Sequence, residues 1–398
     1  MGKINIDPKA VEDVLTRGVD EVIVVDDLRK RMLSGDVLRI KLGIDPTSPN
    51  LHIGRSIPLL KLRDFQELGH QIVFIVGDFT GVIGDTSDKE SERPMLVKEK
   101  VEENMKNYVA QAGKIIDMEK CEVHYNSEWL GKLGYGEIGV QADQFSLAEF
   151  ISRENIRRRL DAGTRVSLRE LLYPLMQGYD SVAIKADVEV GGTDQRFNLL
   201  SGRTMQQFYG QKSQNIITNP LIEGTDGRKM SSSWGNTINL TAEPDDMFGK
   251  VMSITDDLII KYFIFVTRVP MAKISGYEED LKTGVNPRGI KADLAFEITK
   301  MYHSEEAAQK ARENFDKQFR DKEIPDEMPE LKIGAPINII DLLVQSQLAP
   351  SKGEARRLID GGGVKVAGQV VENYEFLVEP TVEGVVIQKG KRGFVRVF

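Results

Sequence analysis

Two short segments carry residues suited to binding a nucleoside triphosphate. Residues 46–55 read PTSPNLHIGR, with His52 at the start of a His-x-Gly-Arg sequence, and residues 229–233 read KMSSS. An imidazole and a guanidinium can donate hydrogen bonds to phosphate oxygens as charge develops on them, and the second segment adds a cation and three hydroxyl groups. Together, the two segments indicate the halves of one ATP site.

The first segment is predicted to be a turn between a strand and a helix. The apolar, β-branched run at residues 37–44 predicts a strand, and apolar residues at helical spacing over residues 57–68 predict a helix. Amides at a helix start are unpaired and the helix dipole is positive there, so a triphosphate is attracted. Gly54 allows close approach of the backbone. Residues 229–233 lie in a glycine-rich stretch, which predicts a loop that can close over phosphates.

The composition favours a multidomain enzyme over a small binding module. The chain has 398 residues, of which 40% are apolar, and a formal net charge of −8, so no overall basic field indicates nucleic-acid binding. The single cysteine, Cys121, excludes an internal disulfide and a cysteine-rich zinc site. The sequence has neither a long apolar run nor a signal-peptide core, and we therefore predict a soluble cytoplasmic protein with no membrane partner.

Strands and helices alternate in the first part of the chain, as a parallel α/β sheet requires. We predict an α/β fold with three domains: a Rossmann-like parallel-sheet catalytic domain, an α-helical domain with a linker, and a small α+β domain, at residues 1–242, 243–330 and 331–398. A glycine-rich turn is predicted at residues 77–85, after a buried strand.

Polar residues follow several of the apparent strands. Asp45, Asp85 and the segment 191–195, which reads GGTDQ, all have this placement. Ligands in open α/β sheets bind at the carboxyl ends of strands, so these residues are expected to share a site.

One predicted helix has an unusually polar face. Residues 167–170 read SLRE, a capping-box pattern that predicts a helix over residues 168–181. Tyr173, Gln177 and Asp180 then lie on one side of it. A phenol, an amide and a carboxylate indicate a ligand pocket, with a solvated stripe as the alternative.

The two phosphate-site segments resemble the HIGH and KMSKS signatures of class I aminoacyl-tRNA synthetases. Arg55 stands where HIGH has its second histidine, and Ser232 where KMSKS has its second lysine. The arginine keeps a donor and adds charge. The serine removes a cation, which leaves Lys229, with Arg228 beside it, to hold pyrophosphate.

With the helix at 168–181, most of the chain resembles the tyrosyl-tRNA synthetase family. The resemblance implies that Tyr173 and Gln177 bind the tyrosine ammonium group together with Asp85, and that Asp180 accepts a hydrogen bond from the phenol. Phenylalanine would leave that carboxylate unpaired, and this family is itself the standard example of such rejection. The tyrosine site implied in this way comprises Lys41, Gly43, Asp85, Tyr173, Gln177, Asp180 and Gln195. Many bacterial members have a second tyrosine where this chain has Lys41, within a stretch RIKLGIDPT that resembles one branch of the family.

The resemblance also implies an ATP site and a catalytic set. The implied ATP-binding residues are Asp45, which would also contact the ammonium group, Thr47, Gly54, Gly192, Asp194, Met230, Ser231 and Ser233. Gly192 and Asp194 would hold the ribose, and Gln195 would lie near the substrate carboxylate. The implied catalytic residues are His52, Arg55, Lys89, Arg93, Lys229 and Ser232. Without the resemblance, the loop that contains Lys89 and Arg93 reads as a solvated run of charges.

The last part of the chain resembles a small RNA-binding domain first seen in a small-subunit ribosomal protein. From residue 331 to the end there are nine Lys and Arg and seven Asp and Glu, so this part is slightly basic. Two helices followed by a hairpin are predicted, with Ser351 as a helix cap. Lys352, Arg356 and Arg357 are spaced to present cations to RNA phosphates, although surface charges are the alternative.

The implied reaction is adenylation of L-tyrosine by ATP with Mg, followed by transfer to tRNA(Tyr). No tightly bound protein metal is expected, and family members are homodimers, so a homodimer is expected here. Two alternatives remain at this point: a synthetase for another amino acid, tryptophan first, and an RNA-binding regulatory protein whose synthetase body has lost catalysis.

Overall fold

The computed structural model describes residues 4–85, 95–320, 328–390 and 393–398. The chain folds into two compact units, Met1–Arg312 and Glu313–Phe398. Within the described residues, no helix is both long enough and apolar enough to span a membrane.

Six strands form the sheet of the first unit: β1 (Glu21–Ile23), β2 (Arg39–Ile44), β3 (Gln71–Val76), β4 (Cys121–Tyr125), β5 (Val188–Gly192) and β6 (Asn215–Asn219). Helices up to residue 320 are α1 (Pro8–Thr16), α2 (Val25–Ser34), α3 (Ile53–Glu67), α4 (Asp78–Ile83), α5 (Lys98–Met105), α6 (Tyr108–Ala112), α7 (Ser127–Leu130), α8 (Tyr135–Ala142), α9 (Leu147–Ile151), α10 (Glu154–Asp161), α11 (Leu168–Ala183), α12 (Arg196–Phe208), α13 (Pro244–Met252), α14 (Ile259–Val266), α15 (Met271–Lys282), α16 (Pro287–Tyr302) and α17 (Glu305–Arg320).

The strand order is β1-β6-β5-β2-β3-β4. Every neighbouring pair from β6 to β4 is parallel, and the edge strand β1 pairs antiparallel with β6. The chain runs from β2 outward to β3 and β4 and then returns to the other side of β2 with β5 and β6, so the order reverses between β2 and β5. A reversal of this kind opens a crevice at the carboxyl ends of the strands, where ligands bind in such sheets. The prediction of a parallel α/β sheet is confirmed.

The turn around His52 is confirmed as a strand-to-helix connection. Strand β2 ends at Ile44 and helix α3 begins at Ile53, with His52 as its N-cap in extended backbone geometry. The His52 backbone also forms an isolated bridge with Asn239, and the Ile53 amide donates to the carbonyl of Ile238 at 2.9 Å. The start of α3 is therefore fixed by a segment that lies almost 200 residues further along the chain.

The glycine-rich turn predicted at residues 77–85 is wrong, because most of it is helix α4. Phe79, Val82 and Ile83 recur at helical spacing, and this apolar pattern outweighs the glycines. Gly77 has a different requirement, since a Cβ there would lie 2.0 Å from Oδ1 of Asp45. The absence of a side chain at residue 77 lets β3 end directly against that carboxylate.

Helix α11, which carries the polar face, is confirmed. Its N-terminus has the capping box, in which the Ser167 side chain accepts from the amide of Arg169 at 3.3 Å and Glu170 accepts from the amide of Ser167 at 2.9 Å. The helix packs against α12 at Gly178, where there is no room for a side chain. This close packing fixes α11 against α12.

Helices α13 to α16 belong to the same compact unit as the sheet. Arg268, which follows α14, forms an ion pair of 2.7 Å with Asp64 of α3, and Arg17 donates to the carbonyls of Phe263 and Thr267. The predicted boundary at 242/243 therefore lies within one compact unit, and the three-domain division stays a prediction.

The second unit contains α18 (Ile339–Gln345), α19 (Lys352–Asp360), β7 (Glu330–Leu331), β8 (Ile337–Asn338), β9 (Val364–Val366), β10 (Gln369–Val370), β11 (Leu377–Val378), β12 (Val385–Lys389) and β13 (Gly393–Val397). The predicted helix pair and the β9–β10 hairpin are confirmed, and Ser351 caps α19 by accepting from the Glu354 amide at 3.3 Å. A buried apolar cluster from both helices and from β9, β12 and β13 forms its core.

We expect Gly178→Ala to destabilise the protein by about 1–3 kcal/mol, because overpacking at a tight helix contact forces the backbone to shift. The added Cβ would lie 3.1 Å from the Ser201 carbonyl and 3.0 Å from Cγ of Met205. Urea unfolding measures the change in the free energy of unfolding.

The matched control is Gly276→Ala in α15, where an added Cβ meets nothing within 4 Å. There, the higher helix propensity of alanine should stabilise the protein by about 0.5–1 kcal/mol. Equal changes for the two variants would contradict the packing argument.

Candidate functional site

The crevice at the strand-order reversal is a cavity of about 290 Å³. Of the predicted site residues, those that line it are Gly43, Asp45, Thr47, His52, Gly54, Arg55, Asp85, Tyr173, Gln177, Gly192, Asp194, Gln195, Lys229, Met230, Ser231, Ser232 and Ser233. Both phosphate-site segments and part of the polar face of α11 therefore meet in one place.

Asp45, directly after β2, accepts hydrogen bonds from two other elements of the site. Its Oδ2 accepts from the Tyr173 hydroxyl at 2.8 Å and its Oδ1 from the Thr80 hydroxyl at 2.7 Å. Burial, together with the charges of Asp45 and Asp85, raises the pKa of Tyr173 well above its ordinary value, so this phenol stays protonated and donates. The carboxylate thereby joins β2, α4 and α11.

Asp85 is held by Gln195, whose Nε2 donates to its Oδ2 at 2.7 Å. The two residues follow α4 and β5, and both line the cavity. The site thus has two carboxylates, those of Asp45 and Asp85, at the end of the cavity where Tyr173 of α11 lies. Negative charge at this end suits an ammonium group.

Arg55 is anchored at the start of α3. Its guanidinium donates to the hydroxyl of Thr47 at 3.1 Å, to the carbonyl of Asp45 at 3.3 Å and to the hydroxyl of Tyr108 at 3.4 Å. Because arginine stays charged at any working pH, it supplies a fixed cation to this wall of the cavity.

His52 is buried and uncharged. Burial, reinforced by the nearby positive charges of Arg55 and Lys229, lowers its pKa to about 3. Its Nδ1 has no hydrogen-bond partner among the described residues. A Cβ at Gly54 would lie 3.1 Å from that nitrogen, so this glycine leaves room for the imidazole. His52 can therefore act as a neutral hydrogen-bonding group over the whole physiological pH range.

Lys229 forms an ion pair of 2.9 Å with Asp194, and both residues line the cavity. The loop around it is shaped by Asn236, which accepts from the Ser231 amide at 2.9 Å and donates to Asp226 at 2.7 Å. Arg228 pairs with Asp226 and stacks on Trp234 instead of lining the cavity. Lys229 is thus the cation of this segment that reaches the site.

Asp180 and Lys41 are placed beside the cavity lining and are buried. Asp180 accepts from Nε1 of Trp129 at 2.7 Å and from Nδ2 of Asn126 at 3.3 Å. Burial raises its pKa to about 7, against the opposing effects of Lys41 and these two donors. Lys41 pairs with Glu189 on the neighbouring strand.

Besides Lys41 and Asp180, two groups of predicted residues are not among the described residues that line this cavity. Lys89 and Arg93 lie outside the described residues. Lys352, Arg356 and Arg357 lie on α19 of the second unit, with their side chains exposed, and Lys352 forms an ion pair of 2.6 Å with Asp341.

Several polar residues of the site were missed by sequence reasoning: Thr80, Tyr108, Asn126, Trp129, Glu189 and Asn236. Most lie on segments without a recognisable motif, and no local pattern marks them. Glu189 is the residue of this group that the sequence could have identified, because a carboxylate within an otherwise apolar strand needs a buried partner.

The described residues contain no group of three or more His, Cys, Asp or Glu side chains that could hold a metal ion. Cations and hydroxyl groups dominate the phosphate side of the cavity instead. This donor set suits a polyanionic substrate.

Comparisons with known proteins agree with this geometry. The family model for class I tRNA synthetases (W and Y) matches residues 33–320, and that for the C-terminal domain of tyrosine–tRNA ligases matches residues 321–397. The tyrosine–tRNA ligase of Thermotoga maritima is 47% identical over 98% of each chain, and that of Carboxydothermus hydrogenoformans is 44% identical over 97% of each.

Solved structures share the fold. The tyrosyl-tRNA synthetase of Archaeoglobus fulgidus, solved in complex with L-tyrosine, has a TM-score of 0.62 at 23% identity and covers 77% of this chain and all of that one. A C-terminally truncated mitochondrial tyrosyl-tRNA synthetase of Aspergillus nidulans has a TM-score of 0.66 at 21% identity, over 78% of this chain and 94% of that one.

The sheet, with its phosphate-site segments facing each other across the strand-order reversal, defines a class I aminoacyl-tRNA synthetase. Within that class, one family model covers both the tryptophan and the tyrosine enzymes. The 47% and 44% sequence identities to tyrosine–tRNA ligases distinguish between the two. The chain belongs to the tyrosine–tRNA ligase family.

We expect Asp180 to make stability fall as pH rises from about 4 to about 7. Its pKa in the folded protein, about 7, lies above the ordinary value of 3.8. Between these values the folded state holds a proton that the unfolded chain has lost, so raising the pH favours unfolding. The effect is on the order of 3 kcal/mol.

The comparison variant is Asp180→Asn, which cannot titrate at this position. Urea unfolding of both proteins between pH 4 and pH 8 isolates the Asp180 contribution as the difference between their stabilities. A difference that does not change with pH would contradict the raised pKa.

Proposed function

We propose that the protein activates L-tyrosine with ATP and transfers it to tRNA(Tyr). The observation that carries this proposal is the meeting of both phosphate-site segments with Tyr173 and Gln177 of the polar face of α11 in one cavity. Membership of the tyrosine–tRNA ligase family supports it.

In the first step, a carboxylate oxygen of tyrosine attacks the α-phosphorus of ATP in line. A bond forms between that oxygen and phosphorus, the bond to the bridging oxygen of pyrophosphate breaks, and the products are tyrosyl-adenylate and pyrophosphate. In the second step, a ribose hydroxyl of the terminal adenosine of the tRNA attacks the tyrosyl carbonyl and AMP leaves. Positioning and charge stabilisation supply the catalysis, without a protein nucleophile.

On the nucleotide side, Arg55 and Lys229 are the cations that neutralise the charge developing on the phosphates. Neutral His52 donates a hydrogen bond without adding charge, and the hydroxyls of Ser231 to Ser233, with the Met230 backbone, complete the loop side. Gly192 and Asp194 hold the ribose, while Thr47 and Gly54 face the triphosphate. Lys89 and Arg93 remain expected cations for pyrophosphate, outside the described residues.

On the amino-acid side, Tyr173, Gln177 and Asp85 bind the ammonium group, with Asp45 close to it. Gln195 lies near the substrate carboxylate, and Gly43 leaves space in the floor. Asp180 accepts from the substrate phenol. Its carboxyl already receives two hydrogen bonds from protein donors, and an ionised carboxylate has lone pairs for another.

ATP enters as its magnesium complex, with the ion carried by the phosphates as part of the substrate. We also propose a cytoplasmic location, which the single cysteine supports because a reducing compartment does not require disulfides.

We propose a separate role for each of the three predicted domains. Residues 1–242 form the catalytic domain, residues 243–330 the helical region on the anticodon side of the tRNA, and residues 331–398 the small RNA-binding domain. Lys352, Arg356 and Arg357 on one helix then contact RNA phosphates.

We further propose a homodimer. Apolar side chains are exposed on α8, α9 and α11, including Tyr135 at 96%, Leu147 at 65% and Leu168 at 77% exposure. Such exposure favours burial against another protein surface, and in this family a second copy of the chain is the expected partner.

Tyrosine-dependent exchange of pyrophosphate into ATP tests the activation step without tRNA. We expect exchange with tyrosine and none with phenylalanine or tryptophan. Absence of exchange with every amino acid would favour a non-catalytic RNA-binding protein, and exchange with tryptophan would favour the other branch of the class.

We expect Asp180→Asn to raise the KM for tyrosine at least about tenfold, because a neutral amide accepts the phenol hydrogen bond more weakly than a carboxylate does. The KM for ATP should stay within about twofold. The control is Asp280→Asn, at an exposed position of α15. An unchanged tyrosine KM in Asp180→Asn would show that Asp180 does not bind the substrate phenol.

We expect the triple variant of Lys352, Arg356 and Arg357 to alanine to raise the KM for tRNA about 10–100-fold and to reduce the salt dependence of tRNA binding, because fewer counterions are released. Pyrophosphate exchange should not change. The control is alanine at Lys9 and Lys30, exposed lysines of the first unit. Unchanged aminoacylation by the triple variant would show that this helix does not bind the tRNA.

A further inference from the structure

Lys41 and Glu189 form a fully buried ion pair on the two central strands. They are partners in the parallel register of β2 and β5, and Nζ of Lys41 lies 2.8 Å from Oε1 of Glu189. Their side chains are 0% and 1% exposed. A charged pair in this position needs every one of its polar atoms satisfied to be tolerated.

The ammonium group of Lys41 uses all three of its donors. Besides Glu189, it donates to the main-chain carbonyl of Gln177 and to the hydroxyl of Ser181, each at 2.8 Å. The last two are on helix α11, one turn apart. Lys41 therefore ties the sheet to the helix at the residue that faces the proposed ammonium site.

The carboxylate of Glu189 receives four groups. Its Oε1 accepts from Lys41 and from Nε2 of Gln177 at 3.1 Å, and its Oε2 accepts from the Ser181 hydroxyl at 3.1 Å and from Nε2 of Gln214. Gly202 leaves the space that Oε2 occupies, because a Cβ there would lie 3.2 Å from that oxygen. The four contacts hold the carboxylate against Gln177.

The contact with Gln177 decides which way its amide faces. An ionised carboxylate only accepts hydrogen bonds, so the nitrogen of the amide must point to Glu189. The oxygen is then the end of the amide that Gln177 can offer to a ligand in the cavity that it lines. An ammonium group needs an acceptor, and this orientation supplies one.

We propose that Lys41 and Glu189 form a positioning pair that fixes the Gln177 amide for recognition of the tyrosine ammonium group. The inference rests on the proposed role of Gln177 and adds the two residues that set its orientation. Neither Lys41 nor Glu189 lines the cavity, so both act through Gln177 and through helix α11.

Two double variants separate this role from a structural one. Lys41→Met with Glu189→Met removes both charges and the acceptor while keeping similar volume, and apolar replacement of a buried pair is commonly tolerated. Lys41→Met with Glu189→Gln also removes both charges, but keeps an oxygen that can accept from Gln177. We expect the first variant to raise the tyrosine KM about tenfold and the second to recover most of that loss, with the KM for ATP within about twofold in both.

Two competitive inhibitors of exchange identify the group that is recognised. Tyramine carries the phenol and the ammonium group, and 4-ethylphenol carries the phenol alone. The Met/Met variant should weaken inhibition by tyramine about tenfold and leave inhibition by 4-ethylphenol unchanged. Equal weakening of both inhibitors, or no recovery in the Met/Gln variant, would overturn the positioning role.

Gln177→Ala separates the inference from the proposed function beneath it. If that variant leaves the tyrosine KM unchanged, the ammonium site itself is misplaced. If it raises the KM while the Met/Met variant does not, only the positioning pair is wrong. Lys291→Met is the matched control, because Lys291 is a buried lysine that donates to the Ile254 carbonyl at 2.7 Å and does not line the cavity. It should alter stability without altering the tyrosine KM.

Discussion

The site depends on the reversal of strand order beside β2. Because the chain runs from β2 to β3 on one side and returns to β5 on the other, the loops at the carboxyl ends of these strands diverge. Asp45 stands at that point, and its carboxylate joins the ends of β2, α4 and α11 through Thr80 and Tyr173. This arrangement requires glycine at residue 77, because any side chain there would occupy the place of the Asp45 carboxylate.

Charge is distributed along this crevice in a way that matches two different ligands. The cations Arg55 and Lys229 belong to the phosphate-site segments. Burial lowers the pKa of His52, and the two cations lower it further, so His52 stays neutral. Carboxylates and amides lie toward α11. The polyphosphate of one ligand and the ammonium group of the other would each be drawn toward its own end of the crevice before any specific contact formed.

Much of this arrangement follows from local sequence. The strand-to-helix turn at His52, the capping box of α11 and the cap of α19 are short-range patterns, and each was predicted at nearly its observed position. Contacts between segments that are far apart in the sequence have no such local pattern. Trp129 and Asn126 contact Asp180 because α7 and the residue before it pack against α11. The prediction of a turn at residues 77–85 is wrong because the glycines within and beside α4 obscure its apolar spacing.

The ion pair between Lys229 and Asp194 joins two groups to which we assign different parts of the nucleotide, the phosphates and the ribose. The pair fixes the distance between these side chains, so the cation and the proposed ribose acceptor reach a nucleotide from one place in the cavity. Because the Asp194 carboxylate offsets part of the positive charge of Lys229, a phosphate chain that binds Lys229 has to compete with a carboxylate of the protein.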